Sequence, residues 1–238
     1  MIDYDEGWAH WRDMIKYSPA PFHRRRLILK LANQICFKSV LDIGCGNGEL
    51  LAALGRRRPG ARVVGADISQ RIISLNRANL PKFDFHQLDI CSGYLSEQFD
   101  LVVCSEVLEH VPDWQKALWH LRRMCRRYLV LTVPSGKVFP IDRLMGHHRH
   151  FSPDELSEGL QRVGFEPERM WCWGFPFHTL YKHVINFSPE SSVKRFSTGA
   201  YTATDRALAC LLTGLFYLNL FRLGSQLIVR AHAVRLRL

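Results

Sequence analysis

Short apolar runs alternate along the chain with stretches whose apolar positions fall three and four residues apart. Ser39-Val40-Leu41-Asp42-Ile43 reads as a strand, and the glycine-rich turn after it leads into a helix from about Glu49 to Arg58. Arg62-Val63-Val64-Gly65-Ala66 is a second strand, and Ser69 is positioned to cap the helix that follows. Phe83–Leu88 and Asp100–Cys104 read as the third and fourth strands. A helix over Asp113–Arg126 and a fifth strand over Tyr128–Val133 complete the series. Ahead of it, residues 7–34 carry Trp8, Trp11, Ile15, Leu27 and Leu31 at helical spacing, interrupted at Ser18-Pro19-Ala20-Pro21.

Strands that are apolar throughout and alternate with helices predict a parallel sheet covered on both faces. Ser152-Pro153-Asp154-Glu155 has the capping-box pattern, with Glu155 expected to reach back, and starts a helix that Gly164 ends. Phe165–Trp173 and Gln226–Ala231 supply two last strands, with an apolar helix around 205–221 between them. The expected fold is α/β: a Rossmann-like, seven-stranded, mostly parallel sheet with helices on both faces, an N-terminal helical segment and a late apolar helical insertion. The expected layout is a helical cap over 1–38, a core over 39–170, and an aromatic, apolar insertion with the last strand over 171–238, all in one domain.

Composition narrows the class. The 238 residues are 47% hydrophobic and 23% charged, which excludes a disordered chain and suffices for a core without disulfides. The seven cysteines are scattered singly with no CxxC pair, as in a reduced, cytosolic protein without a zinc knuckle. The acidic start of the sequence is unlike a signal peptide, and Ala207–Phe221 is too short to span a bilayer. Lys and Arg number 32 against 22 Asp and Glu, a net +10 that raises nucleic acid, an anionic membrane surface or an acidic substrate as partners.

The chemistry concentrates in Asp42-Ile43-Gly44-Cys45-Gly46-Asn47-Gly48. Glycines at 44, 46 and 48 allow a tight strand-to-helix turn and let a ligand lie on bare backbone. Asp67 closes the second strand about 20 residues on, where a nucleoside ribose is met in such folds. The spacing is G-x-G-x-G, one residue shorter than the dinucleotide fingerprint. With Asp42 before it, this segment resembles the class I S-adenosylmethionine-dependent methyltransferases. Phe85–Ile90, Phe99–Val111 and Leu129–Ser135 match that family's order, and the small-molecule branch typified by quinone biosynthesis is the nearest in character.

The resemblance implies S-adenosyl-L-methionine as cofactor and a set of positions for it. Gly44, Cys45, Gly46 and Gly48 would take its methionine part, with Asp42 near the ammonium. Asp67 would accept both ribose hydroxyls, Ile68 and Ile90 would sandwich the adenine, and Asp89 would accept its amino hydrogens. Cys104, Ser105 and Glu106 would lie under the sulfonium and methyl group. Candidates for a base toward a hydroxyl or carboxyl acceptor are His110 and the cluster Gly146-His147-His148-Arg149-His150-Phe151, of which His147 and His148 are the principal members. His147, Arg149 and Phe151 fit a His-x-Arg-x-Phe segment common in the family. No carboxylate or cysteine spacing supports reading the histidines as a metal site, so none is expected.

The basic clusters divide. Arg56–Arg58 and Arg122, Arg123, Arg126 and Arg127 sit at helix ends, where cations complement the dipole. Arg24–Arg26 remain candidates for an anionic substrate. The fourth strand lacks the Asn/Asp-Pro-Pro-aromatic motif of many base-amine methylating enzymes, and no RNA-binding module accompanies it, which disfavours nucleic acid. The aromatic stretch Trp171–His178 and the apolar run Ala207–Phe221 suit a bulky apolar acceptor; a substrate lid, a dimer helix and an interfacial helix all stay open for them. The expectation is methyl transfer to a small or lipid-like, anionic acceptor, at oxygen, in a cytoplasmic enzyme able to contact a membrane surface or dimerise. The alternatives are an RNA or protein methyltransferase and a catalytically silent cofactor-binding partner subunit.

Overall fold

Strand order determines where a ligand can enter an α/β sheet. In the computed structural model, which describes residues 12–197 and 201–234, seven strands form one sheet: β1 (Ser39–Ile43), β2 (Arg62–Asp67), β3 (Asp84–Gln87), β4 (Phe99–Ser105), β5 (Cys125–Pro134), β6 (Phe165–Trp173) and β7 (Gln226–Ala233). Their order is β3-β2-β1-β4-β5-β7-β6. The first five run parallel, and β7 pairs antiparallel with both β5 and β6. The order reverses between β1 and β4, and the crevice beyond the carboxyl ends of those two strands is the natural ligand position.

Helices cover both faces: α1 (Arg12–Tyr17), α2 (Pro19–Ala32), α3 (Glu49–Arg57), α4 (Gln70–Asn79), α5 (Trp114–Met124), α6 (Pro140–Leu144) and α7 (Pro153–Arg162). Period-two alternation within β4 splits its side chains between the layers. Leu101 and Val103 face the core built with Leu27, Leu31 and Leu51, while Val102 and Cys104 face the one built with Trp114, Leu118 and Leu121. Residue 7 through Trp11, the expected start of the first helix, lies outside the described residues. The helix expected to reach Arg126 ends at Met124, because Cys125 already has strand geometry and pairs with Phe99. Ser152 does cap α7 by accepting from the Glu155 amide at 3.1 Å, but the Glu155 carboxylate pairs with Arg149 instead of reaching back.

Three helices, not one, separate β6 from β7: α8 (Phe177–Ile185), α9 (Pro189–Ser197) and α10 (Ala203–Phe216). The long helix expected around 205–221 is thus shorter, ending in turns after Phe216. β6 also runs across the 170/171 boundary expected between core and insertion. The insertion clasps the N-terminal cap. The buried His23 ring of α2 bonds the Thr213 carbonyl at 3.0 Å and stacks on Trp173 with centroids 5.5 Å apart. Burial pulls His23 down to about 4, so it stays neutral in this contact. Nearby, Tyr201 donates its amide to Asp13 at 2.8 Å, and its hydroxyl lies 3.0 Å from that of Ser18. Cap and insertion together roof the crevice at the switch point.

Candidate functional site

The crevice has two lobes that meet at Gly44, Glu106 and His110. The smaller, about 170 Å³, lies between Ile43, Asp67, Ile68, Asp89 and Ile90, with Val107 and Val111 behind. The larger, about 380 Å³, runs from the glycine turn past Asp42, Cys45 and Gly46 to residues of α1, α2, α6 and α8.

The turn between β1 and α3 is built for close approach. Gly44, Gly46 and Gly48 all have positive φ, and a Cβ on Gly44 would stand 2.4 Å from Val107 Cγ2. Asp67 Oδ2 accepts the Gly46 amide at 3.0 Å and Oδ1 accepts the Ser69 amide at 3.0 Å, so the carboxylate is fixed across the turn. Asp42 is buried beside it. Burial, reinforced by the Asp67 charge, pushes the Asp42 carboxyl up to about 8. A buried acid next to a second carboxylate is a setting that a cationic ligand group would relieve. Asp89 is half-buried and accepts the Cys91 amide at 2.8 Å. Ile68 is exposed at the lobe rim, Ile90 is buried at its floor, and Cys45 lines the larger lobe.

Glu106, at the junction, is the one non-glycine residue with positive φ among the described residues, at 56°. Its Oε1 accepts from Thr132 Oγ1 at 2.9 Å and from Gln226 Nε2 at 2.7 Å, and Arg24 lies 3.5 Å from Oε2. Contacts from β5, β7 and α2 hold this uncommon backbone conformation, as is typical of functional sites. Ser105 lines the larger lobe beside it. Cys104 does not: its side chain lies wholly within the layer against α5, because alternation along β4 turns it away from the crevice.

The histidines separate in the same way. His147 and His110 line the larger lobe with their rings edge to face, centroids 4.7 Å apart, and His110 Nδ1–H donates to the Gly146 carbonyl at 3.2 Å. His148 is exposed and lines neither lobe; its backbone amide bonds the Glu109 carbonyl. His150 is the one that turns inward, with Nε2 3.2 Å from His147 Nδ1 and 3.3 Å from Asp142 Oδ2. Arg149 lies over Trp114 and pairs with Glu155, while Phe151 packs edge-on against Trp114. They anchor the loop and leave His147 to the cleft. Burial pulls His147 down to about 2 and also lowers His110, so both rings are neutral near pH 7.

The fold adds residues that linear spacing did not reveal. Asp142 of α6 takes the Phe139 amide at 2.9 Å on Oδ2 and has Lys182 of α8 at 3.6 Å from Oδ1. His178 of α8 lines the same lobe and is 3.1 Å from the Ser225 hydroxyl, with burial bringing it down to about 3. Glu109 is fully buried and neither oxygen has a hydrogen-bond partner among the described residues; burial, then the Glu106 charge, raises it well above the carboxylate range. Ligand atoms of Asp142, His147 and His150 lie within 4.8 Å of one another, as do those of Glu109, His110 and His147. The carboxylates missing from the linear pattern thus come from tertiary structure, but the Lys182 ammonium already supplies positive charge at Asp142.

A family model described as a methyltransferase domain matches residues 11–169. The ubiquinone biosynthesis O-methyltransferase of Stutzerimonas stutzeri (strain A1501) is 38% identical over 108 residues, 43% of this chain and 43% of that protein. The protein of the same name from Coxiella burnetii (strain Dugway 5J108-111) is 32% identical over 145 residues, 58% of this chain and 57% of that one. The chain therefore spans about half the length of the curated relatives it matches. The N-methyltransferase NodS from Bradyrhizobium japonicum WM9, solved with S-adenosyl-L-homocysteine, superposes with a TM-score of 0.61 at 17% identity, covering 94% of this chain and 92% of that one. At that identity the likeness is one of fold.

Proposed function

The chain belongs to the methyltransferase-domain family, and from that premise we propose that it transfers the methyl group of S-adenosylmethionine to an oxygen of a small or lipid-like acceptor. The observation that carries this reading is the junction at Gly44, Glu106 and His110, where a nucleoside-sized lobe opens into a larger, largely apolar one. In this reading the Asp67 carboxylate, fixed across the turn by the Gly46 and Ser69 amides, faces the ribose hydroxyls. Ile68 and Ile90 flank the adenine and Asp89 takes its amino group. Asp42 meets the ammonium, whose charge answers the buried carboxyl pair, and the backbone of Gly44 and Gly46 lies against the methionine part.

Bound there, S-adenosylmethionine supplies a methyl group on a sulfonium that departs as a neutral thioether. Toward the departing thioether the residues of the chain need supply only alignment and a sheltered cleft. Glu106, held from three sides, fixes the floor of the junction. Met14, Ile15, Ile141, Met145, Tyr181 and Ile185 give the acceptor lobe apolar walls suited to a lipid-like molecule. Transfer to oxygen is supported by the name that the curated relatives carry.

Incubating the protein with methyl-labelled cofactor and a cell extract, then separating organic, nucleic-acid and protein fractions, tests the reading. Label is expected in the organic phase, as an alkali-stable methyl ether, and is expected to be lost with Asp67→Ala together with most of the cofactor affinity measured by calorimetry. Label in nucleic acid or protein would reverse the acceptor assignment, and unchanged cofactor binding in the variant would remove the cofactor assignment.

A further inference from the structure

The acceptor lobe holds imidazoles that stay neutral and an ammonium that the sequence pattern did not single out. A hydroxyl attacks a methyl group well only as its anion, and a neutral imidazole as weakly basic as His147 holds an abstracted proton poorly. Something else at this end of the cleft has to favour the oxyanion. Lys182 is the residue placed to do so. It sits on α8, is largely buried, and lines the lobe together with His147, His110 and Tyr181. Its ammonium is 3.6 Å from Asp142 Oδ1, a loose pairing that leaves donor hydrogens unspent, and 5.8 Å from the centre of the Phe139 ring.

The charged and titratable groups around it are Asp142 from α6, Glu109 from the turn after β4, Arg24 from α2, His147 and His150 from the loop before α7, and His178 from its own helix. Arg24 is directed to Glu106 and Asp142 is shared with His150 and the Phe139 amide. Arg25, the third cation lining the lobe, is paired with Glu49 at 3.0 Å, so Lys182 is the cation with the longest ion pair and donor hydrogens left for an oxygen in the lobe, where burial strengthens the attraction.

Resting on the proposed methyl transfer, we propose that Lys182 is a further catalytic residue that binds the acceptor oxygen as its anion. The hydroxyl proton leaves to water as the oxyanion forms against the ammonium. The O–CH3 bond then forms as the S–CH3 bond breaks, sulfur keeps the electron pair, and Lys182 keeps all its protons.

The test reads the ionisation of a bound probe. Protein first shown by calorimetry to bind S-adenosylhomocysteine is saturated with it and titrated with a decyl-substituted nitrophenol, whose phenolate absorbs in the visible. The bound probe is expected to ionise at lower pH than in free solution, with about tenfold more phenolate at a given pH on the acid limb. Lys182→Arg is expected to keep this shift and Lys182→Met to lose it, with affinity for S-adenosylhomocysteine unchanged in both. A bound probe that ionises as it does in water, a Met variant that behaves like the parent, or a probe that fails to bind the loaded protein overturns the proposal. The shift in the parent stands by itself should the Met variant misfold. Failure of S-adenosylhomocysteine to bind at the outset strikes the underlying methyl-transfer reading instead.

Discussion

Asp42, next to last in β1, and Asp67, last in the neighbouring β2, meet at the glycine turn, and their closeness has a thermodynamic signature. Asp42 ionises at about 8 in the folded chain against about 4 when solvated, so the folded state holds a proton there that the unfolded state has lost. The sign follows: between those values stability falls as pH rises. Ligand binding runs the other way, since an ammonium favours the ionised carboxyl and its arrival expels the proton. Affinity for S-adenosylhomocysteine is therefore expected to rise toward neutrality, up to about tenfold per pH unit between pH 5.5 and 7.5, with Asp42→Asn flattening the slope. Calorimetry in buffers of different ionisation enthalpy counts the released proton directly, and a pH-independent affinity in the parent would contradict the linkage. At this scale the gathering of Asp42, Gly44, Asp67 and Asp89 around one crevice was legible, because they lie at fixed offsets from strand ends. Lys182, Asp142 and His178 were not, because their partners are far away in sequence. Cys104 and His148 were misread for a different reason: proximity in sequence to a site does not say which way a side chain points.

At the scale of elements, apolar periodicity located the centre of the sheet because β1, β4 and most of β5 are buried on both faces. It failed at the insertion, where α8 and α9 mix apolar and polar positions with no long stripe, and at Cys125, where strand pairing with β4 overrides the end of a helical pattern. Packing can also reverse an intrinsic preference. Gly159 lies within α7, where alanine would ordinarily stabilise, but a Cβ there would stand 2.4 and 2.5 Å from Trp114 ring atoms of α5. Gly159→Ala is expected to lower stability by about 1–3 kcal/mol through overpacking, read in denaturant melts, with cofactor affinity unchanged. A variant as stable as the parent would show that the α5–α7 contact yields to an extra methyl group.

Over the whole molecule part of the basic excess is assigned to structure. Arg122 bonds the carbonyls of Gly164, Cys125 and Val234, Arg58 that of Ile35, and Arg127 that of Cys36. Apolar surface is what remains uncommitted. Leu180, Val184 and Phe187 of α8 and its end, with Leu208, Leu211 and Leu218 of α10 and its end, are all more than half exposed, and Phe187 reaches 86%. No helix among the described residues is long and apolar enough to cross a membrane. These positions suit shallow contact with a bilayer, with Arg206 and Arg222 exposed nearby to meet anionic headgroups. The protein is expected to float with phosphatidylglycerol vesicles and much less with phosphatidylcholine, and a Leu180→Ser, Val184→Ser, Phe187→Ser variant is expected to stay in solution. Flotation unaffected by those changes would take the face out of membrane contact, and concentration-dependent dimerisation lost in the variant would assign it to a second copy.

The two lobes draw on the chain very differently. Every residue lining the smaller one falls between positions 43 and 111, a single uninterrupted segment. The larger one gathers residues from position 14 to position 226, with cap and insertion contributing most of its apolar wall. On the proposed reading, the nucleoside end of the donor and the apolar walls for the acceptor are therefore written largely in separate stretches of sequence. Changes accumulating in the cap and insertion can redirect which molecule is modified without touching the machinery that holds the donor, so two proteins sharing the central segment need not share a product.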